Sequence, residues 1–258
     1  MHAPDNPFRH PRDLFADFLM ATAFFTRLPV DLGARGAWGL AGSAWAFPLV
    51  GAGIGLLGAL IFLLAQLIEL GDWPAAILSI AAALALTGAL HEDGLADTAD
   101  GFFGGHDRDA RLAIMRDSRH GTFGVLAVVV SVLLRAAALA TIGDVIHAVP
   151  ALIAAHAVSR ATLPAMMWRL PPASAEGVGA AAGTPAGSGV AVAAATGAAI
   201  ALAALGPVRG LIALGLVGVT VLTLAGVARR RIGGYTGDVL GAFQQLGEIV
   251  MLLAASAR

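Results

Sequence analysis

Residues 42–67 read GSAWAFPLVGAGIGLLGALIFLLAQL, without one charged side chain from end to end. About 20 consecutive apolar residues suffice to cross about 30 Å of hydrocarbon as a helix, so this stretch reads as a membrane crossing. Working outward, comparable runs occupy 73–90, 122–142, 145–168, 189–205, 211–228 and 239–255. Apolar residues make up 58% of the 258 positions and charged residues 13%, whereas soluble domains carry about 25% charge. The expectation is an all-α polytopic membrane helix bundle of about seven spans, one integral membrane domain over 1–258.

Ahead of the first span, 11–26 reads as an amphipathic helix. Leu14, Phe18 and Phe25 recur at helical spacing, away from Arg12, Asp13 and Asp17, and we expect it to lie in the interface rather than cross. Residues 1–13 show no removable signal peptide. The chain has no cysteine, which excludes disulfides, Cys-ligated zinc, iron–sulfur clusters and thiol nucleophiles. The segment 171–189, rich in Ala, Gly, Ser and Pro, reads as a flexible connection.

Every basic residue is an arginine, and arginine in short loops is retained on the cytoplasmic side. Alternating spans from a cytoplasmic N-terminus places Arg9, Arg12, Arg27, Arg35, Arg108, Arg111, Arg116, Arg119, Arg169 and Arg229 to Arg231 inside. Arg209 and Arg258 fall outside, and Arg135 and Arg160 lie within spans. The loop 91–121 and the segment before the last span then share the cytoplasmic face. A charge inside the bilayer faces a partner or a wet cavity, and Glu248 is a candidate partner for the buried arginines. His156, Ser159 and Arg160 read as a buried polar network, and Trp38, Trp45, Trp73 and Trp168 as interfacial anchors.

The loop 91–121 is the chemical centre. It carries Glu92, Asp93, Asp97, Asp100, Asp107, Asp109 and Asp117. Asp93, Asp97 and Asp100 stand at i, i+4 and i+7, so on a helix continuing from the second span they share one face. Like charges at that spacing repel, and hard oxygen ligands select magnesium, manganese or calcium. Mg²⁺ typically takes one or two carboxylates together with substrate phosphates. A solvated acidic loop is the competing account; the register, and the small residues Gly94, Ala96, Ala99 and Gly101 that clear space for a ligand, favour the metal. Gly104 and Gly105 should end the helix. Arg116 and Arg119 suit the anionic substrate through their planar forks, although retention on the inside face explains them too. His91 is placed to orient a carboxylate or relay a proton.

The stretch Leu90-His91-Glu92-Asp93-Gly94-Leu95-Ala96-Asp97-Thr98-Ala99-Asp100-Gly101, followed by Ile114-Met115-Arg116-Asp117-Ser118-Arg119-His120-Gly121-Thr122-Phe123-Gly124, closely resembles the cobalamin synthase family. Phe25-Thr26-Arg27-Leu28-Pro29, Phe47-Pro48-Leu49-Val50-Gly51 and Gly233-Gly234-Tyr235-Thr236-Gly237-Asp238-Val239-Leu240-Gly241-Ala242 extend the likeness over nearly the whole chain. The resemblance implies a multi-span, Mg²⁺-dependent transferase of the bacterial inner membrane. It would join adenosylcobinamide-GDP to α-ribazole, or to its 5′-phosphate, with release of GMP. It implies Asp93, Asp97 and Asp100 as metal ligands, with Glu92 and Asp117 beside them or at a second ion. By the same resemblance Asp238 would complete the site, with capping of the last span as the competing account, and Arg27, Arg116, Arg119 and Thr236 would bind substrate. Small-molecule substrates and the bilayer are the expected partners, nucleic acid is not, and a homo-oligomer stays open. Two alternatives remain at this stage. A CDP-alcohol phosphatidyltransferase shares the opening Asp97-Thr98-Ala99-Asp100-Gly101, but its Ala-Arg continuation is replaced here by Phe102-Phe103. A cation transporter would need its acidic groups near the bilayer midplane.

Overall fold

A computed structural model describes residues 11–32, 40–175 and 177–257. Arg9, Arg35, Trp38 and Arg258 lie outside the described residues. The elements are α1 (Pro11–Phe25), a 3₁₀ segment (Leu40–Ala46), α2 (Phe47–Leu67), α3 (Asp72–Thr87), α4 (Leu90–Gly104), α5 (Arg108–Met115), α6 (Thr122–Ile142), α7 (Val145–Arg169), α8 (Val178–Ala181), α9 (Gly187–Leu205), α10 (Pro207–Ile232) and α11 (Gly237–Ser256). Among the described residues no strand forms, and the all-α bundle is as expected. Among the described residues six helices are long and apolar enough to cross a membrane, and α3 with α4, bent by 90°, gives a seventh if the pair is one span.

Hydrogen bonds between helix ends sort those ends onto two faces. On one, the Gln66 amide at the close of α2 donates to Asp72 at the start of α3 (2.7 Å) and to the Gly143 carbonyl after α6 (3.3 Å). On the other, the Arg27 amide donates to the Leu86 carbonyl (2.7 Å), Ala41 to Ala182 (2.9 Å) and Ala173 to Tyr235 (2.7 Å). The Arg108 guanidinium joins them through the carbonyls of Ile232 (3.1 Å) and Ala173 (2.6 Å). Alternating crossings require this arrangement.

Three expectations need correction. The acidic helix does not continue the second span: α3 and α4 meet at 90°, because Gly88 and Ala89 both adopt left-handed backbone, φ +66° and +56°. Gly88 is doubly required there, since a Cβ would stand 2.1 Å from Arg27 Nε. The residues expected to form a loop over 91–121 are largely helical, as α4 and α5. Within α4, Gly94 and Gly101 clear space for neighbouring helices rather than for a ligand. A Cβ at Gly94 would meet the Asp238 carbonyl at 2.8 Å, and one at Gly101 the Met115 side chain at 2.4 Å.

Parts of the segment 171–189 pack onto the bundle. Pro172 pairs with Tyr235 in an isolated bridge, Leu170, Ala173 and Ala182 are buried, and the Tyr235 hydroxyl donates to the Gly179 carbonyl (3.3 Å). At the N-terminus, α1 spans 15 residues, or about 22 Å, too short to cross. Its Asp17 accepts from the Trp45 indole (3.1 Å), and Ala21 and Phe25 are fully buried.

Candidate active site

The carboxylates of α4 diverge according to what the facing helices offer. Asp93 and Asp97, one turn apart, lie on the open side with His120 from the segment before α6. Single ligand atoms of these three residues lie within 4.8 Å of one another. His120 Nε2 is 3.8 Å from Asp93 Oδ1, and its Nδ1 is 3.6 Å from Asp97 Oδ1. The Asp93 side chain is 62% exposed and that of Asp97 15%, so the pair grades from solvent into the protein. The two carboxylates are the oxygen ligands that a small hard divalent ion takes, while the half-exposed imidazole offers a nitrogen that such an ion does not require.

Asp100 does not join them, although its register puts it on the same helix face. It is buried, and its carboxylate accepts from the Gly121 amide (2.6 Å) and the Gly124 amide (2.8 Å). The first amides of a helix have no partner within the helix and carry partial positive charge, so the N-terminus of α6 captures this aspartate. Neither glycine has room for a Cβ, which would stand 2.6 Å or less from an Asp100 oxygen. By capping α6, Asp100 fixes the residue before Gly121, and that residue is His120.

Glu92 points into the bundle and is also withdrawn from the cluster. Its Oε1 accepts from Arg135 of α6 (3.0 Å) and from the Gln245 amide of α11 (2.9 Å). The same Arg135 nitrogen reaches Glu248 Oε1 at 2.9 Å, so Glu248 is the partner that the buried arginine called for. Glu248 Oε2 lies 3.1 Å from His156 Nδ1, which is also 3.1 Å from an Arg160 nitrogen. Ser159 accepts from Gln244 (3.1 Å). The expected polar network is present, and both buried arginines lie within or beside it.

Asp117 stands apart, a half-buried loop residue bound to its own neighbour Arg119 at 2.6 Å. Side-chain and backbone hydrogen bonds from Arg119 hold its carboxyl at about 2. Arg119 is committed to that pair, while Arg108 and Arg111 donate to carbonyls at the end of α10. Of the arginines that follow the acidic motif, Arg116 lines a cavity of about 400 Å³ with Ser174, Tyr235, Thr236, Gly237 and Asp238. Thr236 caps α11, accepting from the Val239 amide (3.3 Å) and donating to Asp238 (3.2 Å). Arg27 lines a second cavity, of about 510 Å³, with Thr26, Thr87, Gly88 and Asp93. The candidate residues gathered around the site are therefore Asp93, Asp97, Asp238, Thr236, Arg116 and Arg27, joined by His120. His120 was within the quoted motif, but no local spacing ties it to Asp97 across the intervening chain.

The family described as cobalamin-5-phosphate synthase matches residues 17–256. Among curated proteins, the chain is 48% identical over 247 residues to an adenosylcobinamide-GDP ribazoletransferase of Bradyrhizobium diazoefficiens, covering 95% of each chain. It is 45% identical to the protein of that name from Mesorhizobium japonicum, again over 95% of each. For the Azorhizobium caulinodans protein the identity is 46%, over 95% of this chain and 96% of the other. No solved structure matches.

Proposed function

The chain belongs to the cobalamin-5-phosphate synthase family, and from that premise we propose that it carries out the final joining step of cobalamin assembly. A hydroxyl of α-ribazole, or of its 5′-phosphate, attacks the cobinamide-linked phosphorus of adenosylcobinamide-GDP. The new O–P bond forms as the bridging P–O bond breaks, GMP leaves, and the hydroxyl proton passes to a base. The observation that carries this reading is the grouping of Asp93, Asp97 and His120, with Asp93 lining the cavity that presents Arg27 and the neighbouring Asp238 lining the one that presents Arg116.

Asp93 and Asp97 would hold Mg²⁺. Such an ion neutralises charge developing on the transferred phosphate and its leaving group. His120 faces both carboxylates and is placed to take the proton or to steady a phosphate oxygen. Arg116 and Thr236 offer donors to one anionic part of the donor substrate, and Arg27 to another. These groups position reactants and balance charge without a covalent intermediate. The face bearing the site also carries Arg27, Arg108, Arg116, Arg119 and Arg229 to Arg231, so we place it in the cytoplasm and the protein in the inner membrane.

Purified protein in lipid, given adenosylcobinamide-GDP, α-ribazole and Mg²⁺, should release GMP in step with a new corrinoid. Release should stop when the metal is chelated. Release of CMP from a CDP-alcohol lipid under the same conditions, with none of GMP, would overturn the assignment.

A further inference from the structure

Next to the acidic cluster lies a third cavity, different in character from the two arginine-bearing ones. It measures about 220 Å³. Its walls include Phe24, Phe25, Phe47, Leu163, Met167 and Leu240, and the polar side chains that reach it are those of His91, Asp93 and Asp238. The rings are set as an aromatic enclosure: Phe25 meets Phe47 edge-on at 4.8 Å and lies tilted against the His91 imidazole at 5.5 Å. His91 is buried, and among the described residues its ring nitrogens make no hydrogen bond.

We infer that this chamber is the subsite for the base of the nucleoside acceptor, taking a flat, fused, alkylated aromatic heterocycle. The inference rests on the reaction proposed above. Three features carry it. An apolar cavity of roughly 150 Å³ accommodates benzene, so this one fits a fused pair of small rings and is far too small for a corrin macrocycle. The walls discriminate between the two bases present in the reaction. Guanine has several polar edge groups that would be stranded against phenylalanine and leucine, whereas a dimethylbenzimidazole presents methyl groups and one unsubstituted ring nitrogen. That nitrogen needs one partner, and His91 is the neutral polar side chain there. Position completes the argument. The chamber shares Asp238 with the Arg116 cavity and Asp93 with the Arg27 cavity. A base seated inside would leave its ribose emerging beside the carboxylates, where a sugar hydroxyl meets the phosphate held outside.

The test uses the full-length protein in lipid, with Leu240→Trp to fill the chamber and Leu163→Ala to enlarge it. Steady-state kinetics are run against each substrate separately, with calorimetric titration of α-ribazole in the absence of the donor. Filling should raise KM for α-ribazole about tenfold or more, leave KM for adenosylcobinamide-GDP within about twofold, and weaken α-ribazole binding in the titration to the same extent. Enlarging should relax selectivity toward a riboside bearing a bulkier fused base. The inference is overturned if filling leaves α-ribazole binding intact, or if it raises only the KM of the donor, which would give the chamber to the donor or to a lipid chain. Should Leu240→Trp fail to fold, Leu163→Ala decides by the same selectivity readout, unchanged base preference counting against the chamber. Calorimetry keeps the two readings apart: ribazole binding without GMP release sinks the reaction and not the subsite, and GMP release indifferent to both variants does the reverse.

Discussion

At the scale of single residues, four acids on one short helix have two fates. Asp93 and Asp97 face open space with His120, while Asp100 and Glu92 are consumed by the fold. Substitutions should separate these fates. Asp97→Asn removes a charge from a repelling pair and leaves packing untouched, so it should lower kcat by about 100-fold or more with no loss of thermal stability in detergent. Asp100→Asn keeps one acceptor for the α6 amides and turns the other into a donor facing an amide. It should therefore lower stability, by about 1–2 kcal/mol as for a lost helix cap, as well as activity. Equal thermal midpoints for the two variants would show that the capping role is wrong. Asp117→Asn should leave kcat within about twofold, since its carboxylate serves only an exposed pair with Arg119.

At the scale of elements, α4 is held in place from two sides. Close approach to α11 needs Gly94 and Gly241, whose absent Cβ atoms would lie 2.8 Å from the Asp238 carbonyl and 3.0 Å from the His91 carbonyl. The buried arginine of α6 ties α4 to α11 through Glu92 and Glu248. Arg135→Met should be severe, costing about 3–5 kcal/mol, because two buried carboxylates lose the one cation they share and keep only His156 and the Gln244 and Gln245 amides. Replacing the group together, as Arg135→Met with Glu92→Gln and Glu248→Gln, should recover much of that loss in a thermal unfolding series. A triple variant no more stable than Arg135→Met alone would show that charge balance is not what the network supplies. The elbow at Gly88 and Ala89 was not legible in the sequence. An apolar run ending in a glycine looks the same whether the next helix continues or turns, and Arg27, which leaves no room for a Cβ at Gly88, comes from a distant part of the chain.

At the scale of the molecule, alternating crossings collect the site on one face. The absence of cysteine makes this simple to check with single introduced thiols. Arg230→Cys should react with an impermeant maleimide from the face that holds the site, and Arg209→Cys from the other. Labelling of both from one side would refute the topology. The sequence by itself determined the membrane-spanning helical class, the helix bearing the carboxylates and the kinship on which the reaction rests. Each of these follows from local runs: apolar length against hydrocarbon thickness, helical register, and motifs contiguous in the chain. Only the tertiary structure decided which carboxylates remain free. A carboxylate goes to whichever partner repays its lost hydration best, and those partners, the Gly121 and Gly124 amides, Arg135 and His120, arrive from elements that no local pattern connects to α4.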